Sequence, residues 1–190
     1  MNIAVLTSGG KVIVRPDTTR VKDGEDAYMP EFVKALEWTP VLYTRICKSG
    51  RSVSDGFAAR YFDNFGFGAL LYPSELLYDC SEESFACASC LDHTSIINLD
   101  GLSSKEAIRP DSQMTVDING ESRNFIIPDA GAVLTRAIVQ VARYCWLRVG
   151  DVVAVELSPR YGLRTSGQKD SPVIQISAEG RILSQTKIII

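Results

Sequence analysis

Two β-hairpin signals in the second half of the chain constrain its fold most. Residues 114–118 and 123–127 flank Asn119-Gly120, and a type I′ turn needs positive φ at both central positions, which Asn and Gly accept most readily. Residues 173–176 and 182–190 frame Glu179-Gly180 in the same manner. A third pair of short strands, 3–6 and 11–14, is joined by the Ser8-Gly9-Gly10 turn. Residues 41–47, 67–72 and 152–157 are apolar runs rich in β-branched and aromatic side chains, so they read as buried strands. Helical periodicity is scarcer. Phe57, Ala58, Tyr61, Phe62 and Phe65 recur at spacings of three and four, predicting an amphipathic helix over 54–64. Asp129 is a natural N-cap for a longer helix from 130 to about 146, with Val133, Leu134, Ala137, Ile138, Val141 and Tyr144 on one stripe. Gly150-Asp151 ends it. Residues 15–37 are polar and turn-rich, and the acidic, Cys-rich stretch 73–92 reads as either a helix or an irregular lid. The sum is a β-rich α+β chain, a mixed β-roll with one long and one shorter flanking helix, expected to form one domain over 1–190.

Composition narrows the function classes. The chain has 190 residues and a net charge of -3, with a pI near 5.2. That balance lacks the basic face a nucleic-acid partner requires. No apolar run reaches transmembrane length, and the first ten residues have neither a basic n-region nor a long apolar core, so no signal peptide and no membrane partner are expected. Five cysteines without a secretory signal read as reduced thiols in a cytoplasmic protein.

Three stretches are more specific than their composition. They are Val14-Arg15-Pro16-Asp17-Thr18, then Arg45-Ile46-Cys47-Lys48-Ser49-Gly50 followed by Phe57-Ala58-Ala59-Arg60-Tyr61-Phe62 through Gly66-Phe67-Gly68, and then Leu147-Arg148-Val149-Gly150-Asp151-Val152-Val153. In this order they resemble the small bacterial members of the fumarylacetoacetate hydrolase family, which includes acylpyruvate hydrolases, oxaloacetate decarboxylases and isomerases. The resemblance implies the family's β-sandwich roll with helices at one side and a homodimer.

The resemblance also implies where catalytic groups belong. Active members hold Mg²⁺ or Mn²⁺ with a Glu-x-Glu pair and an Asp, and the cation chelates a 2-oxo acid and stabilises the enolate formed as the C–C bond breaks. Here the Glu positions fall on Thr39 and Val41, and the Asp position on Leu70. Val and Leu offer a hard cation no oxygen ligand, so no metal cofactor is expected. A family Lys falls on Arg15, a second on Ser89, and Glu156-Leu157-Ser158-Pro159 stands where a Gly-Thr-Pro turn belongs. Residues 3–10 keep neither the Tyr nor the His of active members.

The pattern therefore describes a divergent member, non-catalytic or repurposed, binding a small anionic metabolite through Arg15 and the old cleft. A competing expectation is a metal-independent hydrolase, decarboxylase or isomerase of 2-oxo or β-diketo acids, using Arg15, Asp92 and His93. A third is an interaction protein that uses the Cys-rich segment and the apolar C-terminus. Glu37 is a shifted metal ligand or, more plainly, a solvated loop carboxylate, and Glu75, Glu82 and Glu83 are acids through which the lid can supply replacement ligands. Cys80, Cys87, Cys90 and His93 offer half of a zinc site, but on a helix Cys87 and Cys90 share a face and read better as buried small apolar residues. His93 is the only histidine, and adjacent residues in an extended segment point apart, so Asp92 and His93 need not cooperate.

Overall fold

The computed structural model describes residues 1–22, 24–78, 81–164 and 171–189. The chain opens with the expected hairpin, β1 (Asn2–Leu6) and β2 (Val12–Pro16). The polar stretch that follows yields only the short β3 (Arg20–Val21) and β4 (Ala27–Tyr28) before the long strand β5 (Ala35–Arg45). After α1 (Asp55–Ala58) come β6 (Asn64–Pro73), α2 (Ser74–Tyr78) and α3 (Glu82–Cys90), then the short β7 (Ser95–Ile96) and β8 (Ser103–Ser104). The Asn119-Gly120 hairpin joins β9 (Ser112–Ile118) to β10 (Glu121–Ile127), with φ of 53° and 90° at its two turn residues. The chain then forms α4 (Ala130–Ala142), β11 (Val152–Glu156), β12 (Tyr161–Arg164) and the Glu179-Gly180 hairpin, β13 (Val173–Ala178) with β14 (Arg181–Ile189).

One sheet runs β2-β1-β11-β5-β6-β7-β3, with β12 also on β5 and β8 also on β6. The other runs β10-β9-β13-β14-β4, so the apolar C-terminal strand is paired on both sides rather than left as an edge. Side chains alternate across a strand, and the large sheet buries both faces. Leu36, Trp38 and Leu42 of β5 and Ala69 and Leu71 of β6 face α4 and the second sheet, in a core with Leu134, Ile138, Val141, Met114 and Ile176. Val41 and Tyr43 of β5 and Leu70 and Tyr72 of β6 face the other way, in a cluster with Ile3, Val5, Ala154 and Ala88 of α3. Gly68, opposite Val41, sits so close to the Ile96 carbonyl that a Cβ there would meet backbone, so the approach of β7 to β6 requires a glycine at this position.

Two helices differ from their sequence pattern. The predicted helix over 54–64 stops at Ala58, because the Asn64 side chain binds the backbone N–H and C=O of Arg45 and draws the chain into β6. Apolar spacings of three and four arise as well from one turn followed by a strand. Asp129 caps α4 as expected, its Oδ1 accepting from the Ala132 N–H at 2.8 Å. That helix ends at Ala142 rather than near 146, where Ser52 N–H takes up the Ala142 carbonyl and Leu147 pairs with Gly50. Within the lid, Ser74–Tyr78 and Glu82–Cys90 are helical, so the described residues form four helices where two were expected.

β5 carries Pro40 in mid-strand, a residue that cannot donate to a ladder. β11 pairs with 41–45 of β5 and β12 with 35–38, so Pro40 falls where the neighbouring ladder is interrupted. The intervening chain, residues 157–160, loops out there, held by Leu157 N–H to the Pro40 carbonyl and by the Thr39 hydroxyl to the Ser158 carbonyl at 2.9 Å. That loop delivers Arg160 to the cleft described next.

Candidate functional site

The three expected metal positions are neighbours on one face of the large sheet. Thr39 pairs with Leu70 across β5 and β6, and Val41 lies two residues along on the same face. All three are fully buried. Val41 and Leu70 belong to the apolar cluster beneath α3, and the Thr39 hydroxyl is spent on Ser158. A divalent cation needs several oxygen ligands, and this row presents one hydroxyl already donated. The residues present do not fit the family's metal. Among the described residues, no group of three or more His, Cys, Asp or Glu side chains is placed to hold a metal ion.

What occupies this face instead is a chain of polar side chains. The Tyr72 hydroxyl donates to Glu156 Oε1 at 2.8 Å. Tyr72 is on β6 and Glu156 on β11, on either side of β5, so their bond bridges over the strand that carries Thr39 and Val41. Glu156 Oε2 accepts from the Ser8 backbone N–H at 2.9 Å, which ties the β1–β2 turn to the same group. Two arginines contact the Tyr72 ring, with guanidinium carbons 4.8 Å (Arg15) and 4.1 Å (Arg160) from its centre. Phe85 of α3 stacks parallel to Tyr72 at 6.1 Å and touches Arg160 as well.

Arg15 is fully buried. Its Nε donates to the Ser89 carbonyl at 3.0 Å, and its Nη2 to the Leu71 carbonyl at 3.0 Å and the Thr94 hydroxyl at 2.7 Å. Burial pulls the guanidinium below its ordinary range, opposed by Tyr72 and Glu156. Among the described residues, the guanidinium nitrogens Arg15 Nη1 and Arg160 Nε are buried without a hydrogen-bond partner. Above lies a cleft of about 400 Å³ walled by the β1–β2 turn, Glu37, Phe85, Glu156, Pro159 and Arg160.

The other residues singled out in the sequence are scattered. Asp92 is exposed, and His93, with φ of 56°, lies against Tyr28 of β4, so neither lines this cleft. Glu37 is on β5 rather than in a loop, and it lines the cleft as one wall. Glu75 is engaged elsewhere, its Oε1 accepting from the backbone N–H groups of Lys34 and Ala35. Glu82 and Glu83 are exposed in the first turn of α3. Cys80 lies outside the described residues. Cys87 and Cys90 share a helical face, but that face is exposed, which corrects the expectation that they are core residues, because α3 buries Ala88 and Ser89 instead. No sequence pattern joins Tyr72, Glu156 and Arg160 as a set. Glu156 carried one clue, an acid directly following the buried run 152–155.

Burial is the main force that pushes the Tyr72 phenol above its usual range, and its bond to Glu156 adds to the shift. A raised folded-state pKa means the neutral phenol stabilises the fold below the unfolded value near 10, and that contribution fades as pH rises above it. Thermal denaturation is thus expected to show stability falling above about pH 10, with a shallower fall in Tyr72→Phe.

No protein-family model matches the sequence, and no curated protein is close enough in sequence to match. Solved structures do match. A fumarylpyruvate hydrolase from Pseudomonas aeruginosa, in complex with Mn²⁺ and pyruvate, superposes with a TM-score of 0.80 over 100% of this chain and 90% of its own, at 12% identity. A fumarylacetoacetate hydrolase from Exiguobacterium antarcticum gives 0.77 at 17% identity, over 98% and 74%. A 5-carboxymethyl-2-hydroxymuconate delta-isomerase from Mycobacterium smegmatis gives 0.76 at 12% identity, over 99% and 78%. The protein has the fumarylacetoacetate-hydrolase fold. At these identities the likeness is one of fold, and the side chains on the sheet face must speak for the site.

Proposed function

We propose that this chain is a repurposed protein of the fumarylacetoacetate-hydrolase fold that binds a small anionic metabolite and does not run the family's divalent-metal chemistry. The observation that carries this reading is the buried row of Thr39, Val41 and Leu70 beneath the Tyr72–Glu156 bond. The anion half rests on Arg15 and Arg160, each with a buried N–H that has no partner. An unmet buried donor costs roughly 1–3 kcal/mol, and a carboxylate reaching Arg160 from the cleft offsets that cost. Arg160 lines the cleft itself, whereas Arg15 supports it from below. Pyruvate occupies one protein of this fold, which makes short 2-oxo acids the natural probes. A homodimer in the cytoplasm, without nucleic acid or membrane, belongs to the same proposal.

Elemental analysis of purified protein is expected to find no stoichiometric divalent metal, and calorimetry no tight site for Mg²⁺ or Mn²⁺. Stoichiometric binding of either sinks the metal-free half. Calorimetry with pyruvate and oxaloacetate is expected to give binding that Arg160→Ala weakens at least about tenfold, the equivalent of losing one charge-assisted contact. Equal affinity in the variant, or no binding of either acid, overturns the anion half.

The hydrolase and isomerase neighbours favour one second reading, a metal-independent enzyme acting on 2-oxo or β-diketo acids. The cleft N–H groups then stand in for the cation at the developing enolate. Turnover of an acylpyruvate in the presence of chelator supports it, and an uncatalysed rate retires it for that substrate.

A further inference from the structure

We propose that Cys87 and Cys90 form a redox-active dithiol on the lid, and that its closure to a reversible disulfide reshapes the wall of the cleft. Both thiols are exposed, and they stand three residues apart at the end of α3, where Cys90 is the last helical residue. Cys90 Sγ is turned back over residue 87, 3.4 Å from its carbonyl oxygen. Helical geometry places such a pair of Cα atoms about 5 Å apart, inside the range a disulfide spans. Their Cβ atoms stand about 5–6 Å apart, against the roughly 3.5–4.5 Å the bond requires. Closure must therefore draw the last turn in by about 1 Å.

The residues between the two thiols have to absorb that movement, and both are committed. Ala88 is fully buried in the cluster under the lid. The Ser89 carbonyl accepts from Arg15 Nε, and the Ser89 hydroxyl donates to the Phe85 carbonyl at 2.8 Å. Phe85 in turn stacks on Tyr72 and lines the cleft. Strain introduced on the outer face of α3 thus reaches Arg15 and Phe85 on the inner face. A strained, exposed disulfide is also the easily reduced kind.

The oxidant is a small-molecule disulfide of the glutathione type. One protein thiolate attacks a sulfur of that disulfide and releases one small thiolate, leaving a mixed disulfide. The second protein thiolate then attacks the protein sulfur and releases the other. The protein loses two electrons and two protons, and the oxidant becomes two thiols.

Peptide mapping after equilibration in glutathione buffers of increasing oxidised fraction tests this. The expected product is a Cys87–Cys90 link that disappears on reduction. It is absent in Cys87→Ser and Cys90→Ser, and it persists in Cys80→Ser, Cys47→Ser and Cys145→Ser. On oxidation, amide hydrogen exchange over 85–91 is expected to quicken. Glutathione adducts without the link, or links that run through Cys80, overturn the dithiol. A link that leaves exchange unchanged overturns its coupling to the cleft. None of these readouts requires a metabolite to bind.

Discussion

Leu70→Asp, which places an acid where the family resemblance expects one, is expected to lower stability by on the order of 5 kcal/mol or to prevent folding. Truncating a buried Leu side chain alone costs about 2–5 kcal/mol, and the new carboxylate loses its hydration without gaining a partner. Leu70 is fully buried among Val41, Tyr72, Val5 and Ala154. Total stabilities of domains run only to about 5–15 kcal/mol. Urea unfolding of Leu70→Asp and Leu70→Ala separates the two contributions, the Asp variant being the less stable. Adding Mg²⁺ is expected to leave that order unchanged, because Thr39 and Val41 supply no second carboxylate. Magnesium rescue of Leu70→Asp would falsify the view that this face has been rebuilt as packing.

The second large effect is expected at Arg15. Arg15→Ala should cost about 3–5 kcal/mol, the range for removing one member of a buried charged network. The Leu71 carbonyl, the Ser89 carbonyl and the Thr94 hydroxyl all lose their guanidinium donor, and Tyr72 loses a cation from its ring. Arg15→Lys should recover only part of this, since a single ammonium cannot match a planar fork that reaches acceptors on separate elements. Denaturant midpoints of the three proteins are expected in the order wild type, Arg15→Lys, Arg15→Ala. A lysine variant as stable as wild type would mean that charge alone matters at this position.

Both effects have the same structural origin. Tyr72 reaches across β5 to Glu156, and two arginines contact its ring. The space over Thr39, Val41 and Leu70 is taken by aromatic and guanidinium groups. The cleft that remains above is lined by Arg160, Glu156 and Glu37, with Lys11 at the β1–β2 turn. The molecule thus has the fumarylacetoacetate-hydrolase fold, with the row of Thr39, Val41 and Leu70 packed into its core.

Much of the fold was legible in the sequence, for local reasons. Asn119-Gly120 and Glu179-Gly180 take positive φ, as their hairpins require, and Asp129 caps its helix. Turn and cap chemistry is decided within a few residues, so it survives any tertiary context. The same holds for Thr39, Val41 and Leu70, whose side chains lack carboxylates wherever they are placed. Elements whose extent depends on a distant partner were less legible. The helix at 54–64 was shortened by the grip of Asn64 on Arg45, and the cysteines of α3 were placed by whichever face of that helix met the sheet.

By itself the sequence determined the strand-and-turn framework and the carboxylate-free side chains of Thr39, Val41 and Leu70, because both are properties of residue type and spacing. Only the tertiary structure decided what gathers over that row. Arg15, Tyr72 and the neighbouring Glu156 and Arg160 come from three distant parts of the chain, and no periodicity links them. They meet because β2, β6 and β11 lie in one sheet and the interruption at Pro40 loops Arg160 inward. A buried polar network is a fact of strand order and register, which the sequence encodes only through the fold as a whole.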